Sequence, residues 1–138
     1  TQNFYIFRLA DILLLKAEAL AHTGDYIGSM ALVNQVRARV SLPPVAPVTT
    51  LNDAINTILK ERFVELAFEG QRWFDLKREG KSIEILKQQT YPVWNTSTNS
   101  YDITPMPYNS NLTENDLVWP IPQNVLDNNP NLKQNPGY

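Results

Sequence analysis

Seven of the ten prolines fall in residues 91–138, and this partition limits what the chain can become. Proline has no amide hydrogen for a helix ladder and its ring collides with the preceding turn, so the last third cannot be built from long helices. It reads as turns and extended segments, rich in asparagine, with only Asp102, Glu114, Asp116, Asp127 and Lys133 as charges. Residues 1–90 hold the other three prolines, 11 basic and 10 acidic side chains. There the apolar residues recur at three- and four-residue spacing, the pattern of helices with one buried face.

Ala10, Leu13, Leu14, Ala17 and Ala21 make such a face on a first helix, with Arg8, Asp11, Glu18 and His22 on another. Gly24-Asp25 breaks the run, and a second helix is expected from about Tyr26 to Val40. Its small residues, Gly28, Ser29 and Ala31, would let the two helices approach closely, and Ser41-Leu42-Pro43-Pro44 ends it. Such a pair, about 34 residues long, has the size of a tetratricopeptide repeat. A third helix should be capped by the Thr50 hydroxyl, with Asp53 as capping-box partner. It should bury Leu51, Ala54, Ile55, Ile58, Leu59 and Leu66 and run to about Glu69. Gly70 interrupts, and a short fourth helix spans Arg72 to Glu79 before Gly80, a left-handed cap.

The expected fold is mainly α. Tetratricopeptide-like helix pairs occupy 1–90, and an irregular, proline-rich region, 91–138, packs on them as a wrap of the same domain. One pair and part of a second are too few to bury the faces of a free-standing solenoid. The missing repeats are therefore expected upstream, which would make this chain the carboxy-terminal part of a longer polypeptide.

Several functions find no support. A net charge of −2 gives no electrostatic reason to bind nucleic acid. No window of 18 apolar residues could span a bilayer. The absence of cysteine removes disulfides, thiolate metal sites and a thiol nucleophile. His22 has no second histidine to complete a zinc site or a triad, and the five glycines form no phosphate-cradling loop. No cofactor, metal or catalytic residue is expected.

Two constellations stand out. Residues 61–80 carry Glu61, Glu65 and Glu69 at four-residue spacing, on one helix face, with Arg62, Arg72, Asp75 and Arg78 nearby among Phe63, Phe68, Trp73 and Phe74. These charges could be an acid–base pair, Glu65 with Glu69, or oxygen ligands for a metal. The favoured reading is a structural network in which arginine forks satisfy carboxylates and lock helices together, so that Glu69→Ala should destabilise the fold. The second constellation is Tyr91, Trp94, Tyr101 and Tyr108 in a polar, proline-punctuated stretch. Aromatic rings beside amides are what a sugar needs, stacking its C–H face while amides bond its hydroxyls. The plainer reading is that these rings pin a long loop to the helices.

Separated segments, in order, together resemble the SusD/RagB family of outer-membrane proteins of Bacteroidota. Phe7 through Ala19, with Arg8, Ala10-Asp11, Leu14 and Ala17-Glu18-Ala19, is similar to that family's R-x-A-D-x-x-L-x-x-A-E-A helix. Leu32-Val33-Asn34-Gln35-Val36-Arg37-Ala38-Arg39 resembles its L-N-x-V-R-x-R helix. Glu61-Arg62, Glu65-Leu66 and Glu69-Gly70-Gln71-Arg72-Trp73-Phe74-Asp75-Leu76 match its most specific signature. Pro120-Ile121-Pro122, Asn129-Pro130 and Gln134-Asn135-Pro136-Gly137-Tyr138 look like its usual ending. Gln71 stands where histidine is common, and Val40 where alanine is frequent.

The resemblance implies a protein of several hundred residues, anchored by a lipidated cysteine that this chain does not contain, on the extracellular face of the outer membrane. It implies non-catalytic capture of an oligosaccharide or polysaccharide and its delivery to a SusC-like TonB-dependent transporter. A peptide-binding member of the same family, or a helical-repeat module for protein–protein contact, are the alternatives. No binding residue of the family can be carried onto this chain, and the Glu/Arg motif is a scaffold feature in that picture.

Overall fold

A computed structural model describes residues 7–107 and 111–138. The chain is mainly helical, as expected, and divides into two compact units, Thr1–Asp75 and Leu76–Tyr138.

In the first unit, helices α1 (Leu9–His22), α2 (Tyr26–Ala38) and α3 (Leu51–Glu65) each pack on the other two. The α1–α2 connection is only three residues long, so the two helices run antiparallel. Gly24, at φ +87°, makes it possible: its amide returns to the Ala21 carbonyl and that of Asp25 to Leu20, closing the end of α1. The Asp25 carboxylate then accepts the Gly28 amide at 2.8 Å and starts α2. A Cβ on Gly28 would lie 2.2 Å from Asp25 Oδ2, so this glycine makes room for the cap rather than for α1. Ala31 is exposed. Of the three small residues expected at the helix–helix contact, Ser29 alone is buried, and its hydroxyl donates to the Ala17 carbonyl at 2.7 Å.

The core of this unit is Leu14, Ala17 and Ala21 from α1, Met30, Val33 and Val36 from α2, and Ala54, Ile55, Ile58 and Leu59 from α3. Each of the larger side chains contributes about 1.5–3 kcal/mol by leaving water. Asp11 and Glu18, expected on a polar face, are buried. They fall on the 11-14-18-21 stripe, which the three- and four-residue spacing brings to the inner side of α1. The proline-rich crossing to α3 is held by α2, where Arg37 Nε donates to the Pro43 carbonyl and Asn34 Oδ1 accepts the Val45 amide, both at 2.8 Å. Thr50 caps α3 by accepting the Asp53 amide, and its hydroxyl in turn donates to the Asp53 carboxylate.

Helix α3 stops at Glu65, four residues short of the expected Glu69. In a continuing helix the Glu65 carbonyl would accept the Glu69 amide. Arg8 Nη2 takes that carbonyl instead, the Glu69 amide turns to Leu66, and Phe68 adopts a left-handed φ of 67°. Glu69 therefore does not continue the helical row of Glu61 and Glu65. Helix α4 (Arg72–Arg78) follows.

The second unit begins within α4 and adds α5 (Ser82–Lys87), a helix the sequence reading did not separate from its surroundings. A hairpin follows, β1 (Thr90–Asn95) antiparallel to β2 (Ser100–Pro105). Asn95 Oδ1 accepts the amides of Ser97 and Thr98, an Asx turn that fixes the loop and hence the register. Beyond it lie a 3-10 turn, Glu114–Leu117, and α6 (Gln123–Asn128). Side chains bond several backbone groups of this stretch. Gln134 both donates to and accepts from Ile121, Asn135 donates to the Trp119 carbonyl, and the Tyr138 hydroxyl donates to Val118.

Candidate functional site

The charged signature of residues 61–75 forms several separate clamps. Arg62 lies fully inside the first unit, its Nε donating to Asp75 Oδ2 at 2.8 Å and its Nη1 pairing with Asp11 Oδ1 at 2.8 Å. Glu61 accepts from Arg37 Nη1 at 2.7 Å. Glu65 receives both Arg8 and Arg39, and Arg8 also donates to Glu69 through Nε at 2.9 Å. Arg72 meets no carboxylate of this group. Its Nη1 donates to the Leu59 carbonyl at 3.0 Å, and its guanidinium lies 4.8 Å above the Phe63 ring. Arg78 ends α4 in the second unit.

The sequence reading did not assign Arg8, Asp11, Arg37 and Arg39 to this group. The signal for Asp11 was its place on the inner stripe of α1; the arginines come from distant segments and gave none.

These contacts decide what the carboxylates can do. Burial alone would raise the Glu65 pKa, but the hydrogen bonds and charges of Arg8 and Arg39 outweigh it and hold the group below its usual range. The Arg8 guanidinium is held above its ordinary value: burial opposes this, and bonds to Glu65 and Glu69 prevail. A general acid needs the opposite, a pKa lifted toward neutrality, so Glu65 is a poor proton donor. Among the described residues no group of three or more His, Asp or Glu side chains could hold a metal ion. None of the described helices is long and apolar enough to cross a membrane.

Glu69 is less central than its motif suggested. It is more exposed than Glu65, and Arg8 would keep Glu65 without it, so its removal leaves no guanidinium stranded.

The second candidate lies on the hairpin. The register sets Trp94 opposite Tyr101 and Pro92 opposite Ile103, and the period of two puts all four on one face. Their side chains form a stripe whose larger members are open to solvent, Trp94 at 48% and Tyr101 at 64% exposure. The Trp94 and Tyr101 rings meet edge to face, with centroids 5.0 Å apart and planes at 71°. Tyr91, paired with Thr104, belongs to the other face, together with Asn95, whose Nδ2 donates to Asp102 at 2.7 Å. Tyr108 lies outside the described residues. Two of the four aromatic candidates are thus brought together, and Pro92 and Ile103 extend their surface. Trp119, another exposed ring, was not singled out in the sequence.

Chemically this face offers ring and aliphatic carbon with a phenolic hydroxyl. It can stack an apolar surface, such as the C–H face of a pyranose, and it carries no nucleophile or acid–base pair.

The SusD family model matches residues 1–138. A SusD-like protein of Formosa agariphila is 36% identical over 144 residues, covering 99% of this chain and 25% of that protein. A second SusD-like protein of the same organism is 32% identical, over 99% of this chain and 26% of that protein. Among solved structures, a SusD-like protein from Bacteroides fragilis superposes with a TM-score of 0.78 at 34% identity, over 96% of this chain and 25% of that one. A candidate sugar-binding protein from Bacteroides vulgatus gives 0.62 at 30% identity, over 96% and 28%. The chain spans about a quarter of the length of the curated relatives it matches.

Proposed function

The chain belongs to the SusD family, and from that premise we propose that it is the carboxy-terminal part of a non-catalytic glycan-binding protein of the outer membrane. The whole protein captures an oligosaccharide or polysaccharide at the extracellular face and passes it to a SusC-like TonB-dependent transporter. Its lipid anchor lies in sequence outside these residues.

The observation that carries the glycan reading is the open Trp94–Tyr101 face. Large rings set side by side on a paired hairpin present stacking area, which is how proteins hold sugars without chemistry. Likeness to a candidate sugar-binding protein supports the same ligand class. In this reading Tyr91, on the opposite face of the hairpin, is not part of the platform, and the Glu/Arg clamps keep the helices in place.

Isothermal titration of the intact protein against a panel of neutral glycans tests this. Binding to a member of the panel that weakens on Trp94→Ala, with the melting temperature unchanged, supports both the ligand class and the site. Binding that Trp94→Ala leaves untouched removes the hairpin from the site. Binding to peptides and to no glycan would make this a peptide-binding member of the family.

A further inference from the structure

Neither face of the hairpin is buried, so no core selects the pairing of its strands. Register is weakly specified in such a ribbon, and a slip of one position turns a whole strand's side chains to the opposite face. That slip would part Trp94 from Tyr101 and dissolve the exposed platform. Two strands alone are also marginal in water. The pairing has to be held by something other than burial.

The back of the hairpin supplies it. Asn95 ends β1 opposite Ser100, and its single side-chain amide is committed at both ends. Oδ1 accepts the amides of Ser97 and Thr98 at 2.9 and 3.3 Å, which folds the loop. Nδ2 donates at 2.7 Å to Asp102, its diagonal neighbour on β2. An ionised carboxylate only accepts, so Asp102 takes the NH2 end of this amide and leaves the oxygen for the loop. Asn99 then leads the chain into β2 at φ +53°, a left-handed conformation that asparagine tolerates.

The register held in this way decides how the rings meet. One step beyond the pair Thr90 and Pro105, the Met106 amide donates to the Gln89 carbonyl. Bonded and non-bonded pairs alternate along an antiparallel ladder, so Trp94 and Tyr101 fall on a non-bonded pair, where side chains stand closest. Their edge-to-face contact follows. Pro92 falls on another such pair, opposite Ile103, and its missing N–H costs the ladder nothing.

We propose that Asn95 and Asp102 are positioning residues of the Trp94–Tyr101 platform. Both stand on the face turned away from the glycan, and the bond between them holds the register on which glycan affinity depends. This role rests on the reading of the aromatic face as the glycan site.

The test exchanges the two groups in the intact protein. Asn95→Ala and Asn95→Asp are compared with Asn95→Asp combined with Asp102→Asn. The aspartate variant keeps an acceptor for the loop but sets two carboxylates against each other, and the combination restores a donor facing an acceptor. Isothermal titration with maltohexaose, cellohexaose and mannohexaose reads affinity, and hydrogen–deuterium exchange over residues 90–105 reads the pairing. Each single variant should bind the wild type's preferred hexaose about tenfold more weakly, the scale of one lost aromatic contact. Its hairpin amides should exchange about tenfold faster, with exchange in α1, α2 and α3 unchanged. The combined variant should recover both. Single variants that behave as wild type overturn the proposal, and so does a combination no better than Asn95→Asp. Affinity lost in Trp94→Ala but kept in Asn95→Ala overturns the positioning role alone. Affinity kept in both removes the glycan site and the role together. If the wild type binds none of the hexaoses, exchange in the single and combined variants still decides whether the pair holds the platform.

Discussion

Arg62 of α3 and Asp75 of α4 meet at 2.8 Å with 1% and 2% of their side chains exposed, and Asp11 of α1 closes on the same guanidinium from the other side. A charge sealed this way is tolerated because its partners are sealed with it. Removing one partner leaves the other uncompensated in a medium that cannot hydrate it. Arg62→Ala, which strands both Asp11 and Asp75, should therefore cost about 3–5 kcal/mol of stability, measured by urea unfolding. A loss below about 1 kcal/mol, the range of exposed pairs, would mean that water reaches the site.

Glu69→Ala should cost no more than about 1 kcal/mol, because its pair with Arg8 is partly exposed and Arg8 keeps Glu65. Arg8→Ala should cost more, since it releases both carboxylates and the Glu65 carbonyl. Paired denaturation curves decide it, and an inverted order would show that Glu69 matters more to closure than its exposure implies.

Acid should loosen the same clamp. The folded pKa of Glu65 lies below its ordinary value of 4.5, so the unfolded chain takes up the proton first. The stability it contributes is complete above that ordinary value and is lost as pH falls from there through the lower folded value. Glu65→Gln should flatten this part of the stability–pH curve relative to the wild type. Superimposable acid limbs would mean that Arg8 and Arg39 do not hold the carboxylate in solution.

Ser29→Val should destabilise by about 1–3 kcal/mol, because Ser29 is fully buried and bonded to Ala17 of α1, and added methyls in a packed site force their neighbours to move. Ser29→Ala should cost about 1 kcal/mol through the lost bond to the Ala17 carbonyl. Thermal melts of the two variants give the order, and a valine form as stable as wild type would mean a loosely packed pair.

Much of the helical part was legible in the sequence because its causes are local. Gly24, Asp25 and Thr50 fix the α1–α2 turn and the start of α3 by groups within a few residues. What could not be read comes from far along the chain. The end of α3 depends on Arg8, and the outlet for Arg62 depends on Asp11. On the hairpin the aromatic content was plain, but the division into faces was not. It requires the pairing of Trp94 with Tyr101, which the Asn95 turn sets and the spacing alone does not. Tyr91 and Trp94 are three apart, so they would share a helix face but stand on opposite faces of a strand.

The capture of the Glu65 carbonyl by Arg8 also bears on the order of events as the chain folds. Helices form from local contacts in microseconds or less, whereas a contact bridging 57 residues must wait for the loop to close. Without that contact the Glu69 amide would have the Glu65 carbonyl to itself, and α3 could run one turn further. In the folded chain Arg8 holds the carbonyl and Phe68 stands outward. The boundary of this helix is thus set from the far side of the unit and not by its own residues.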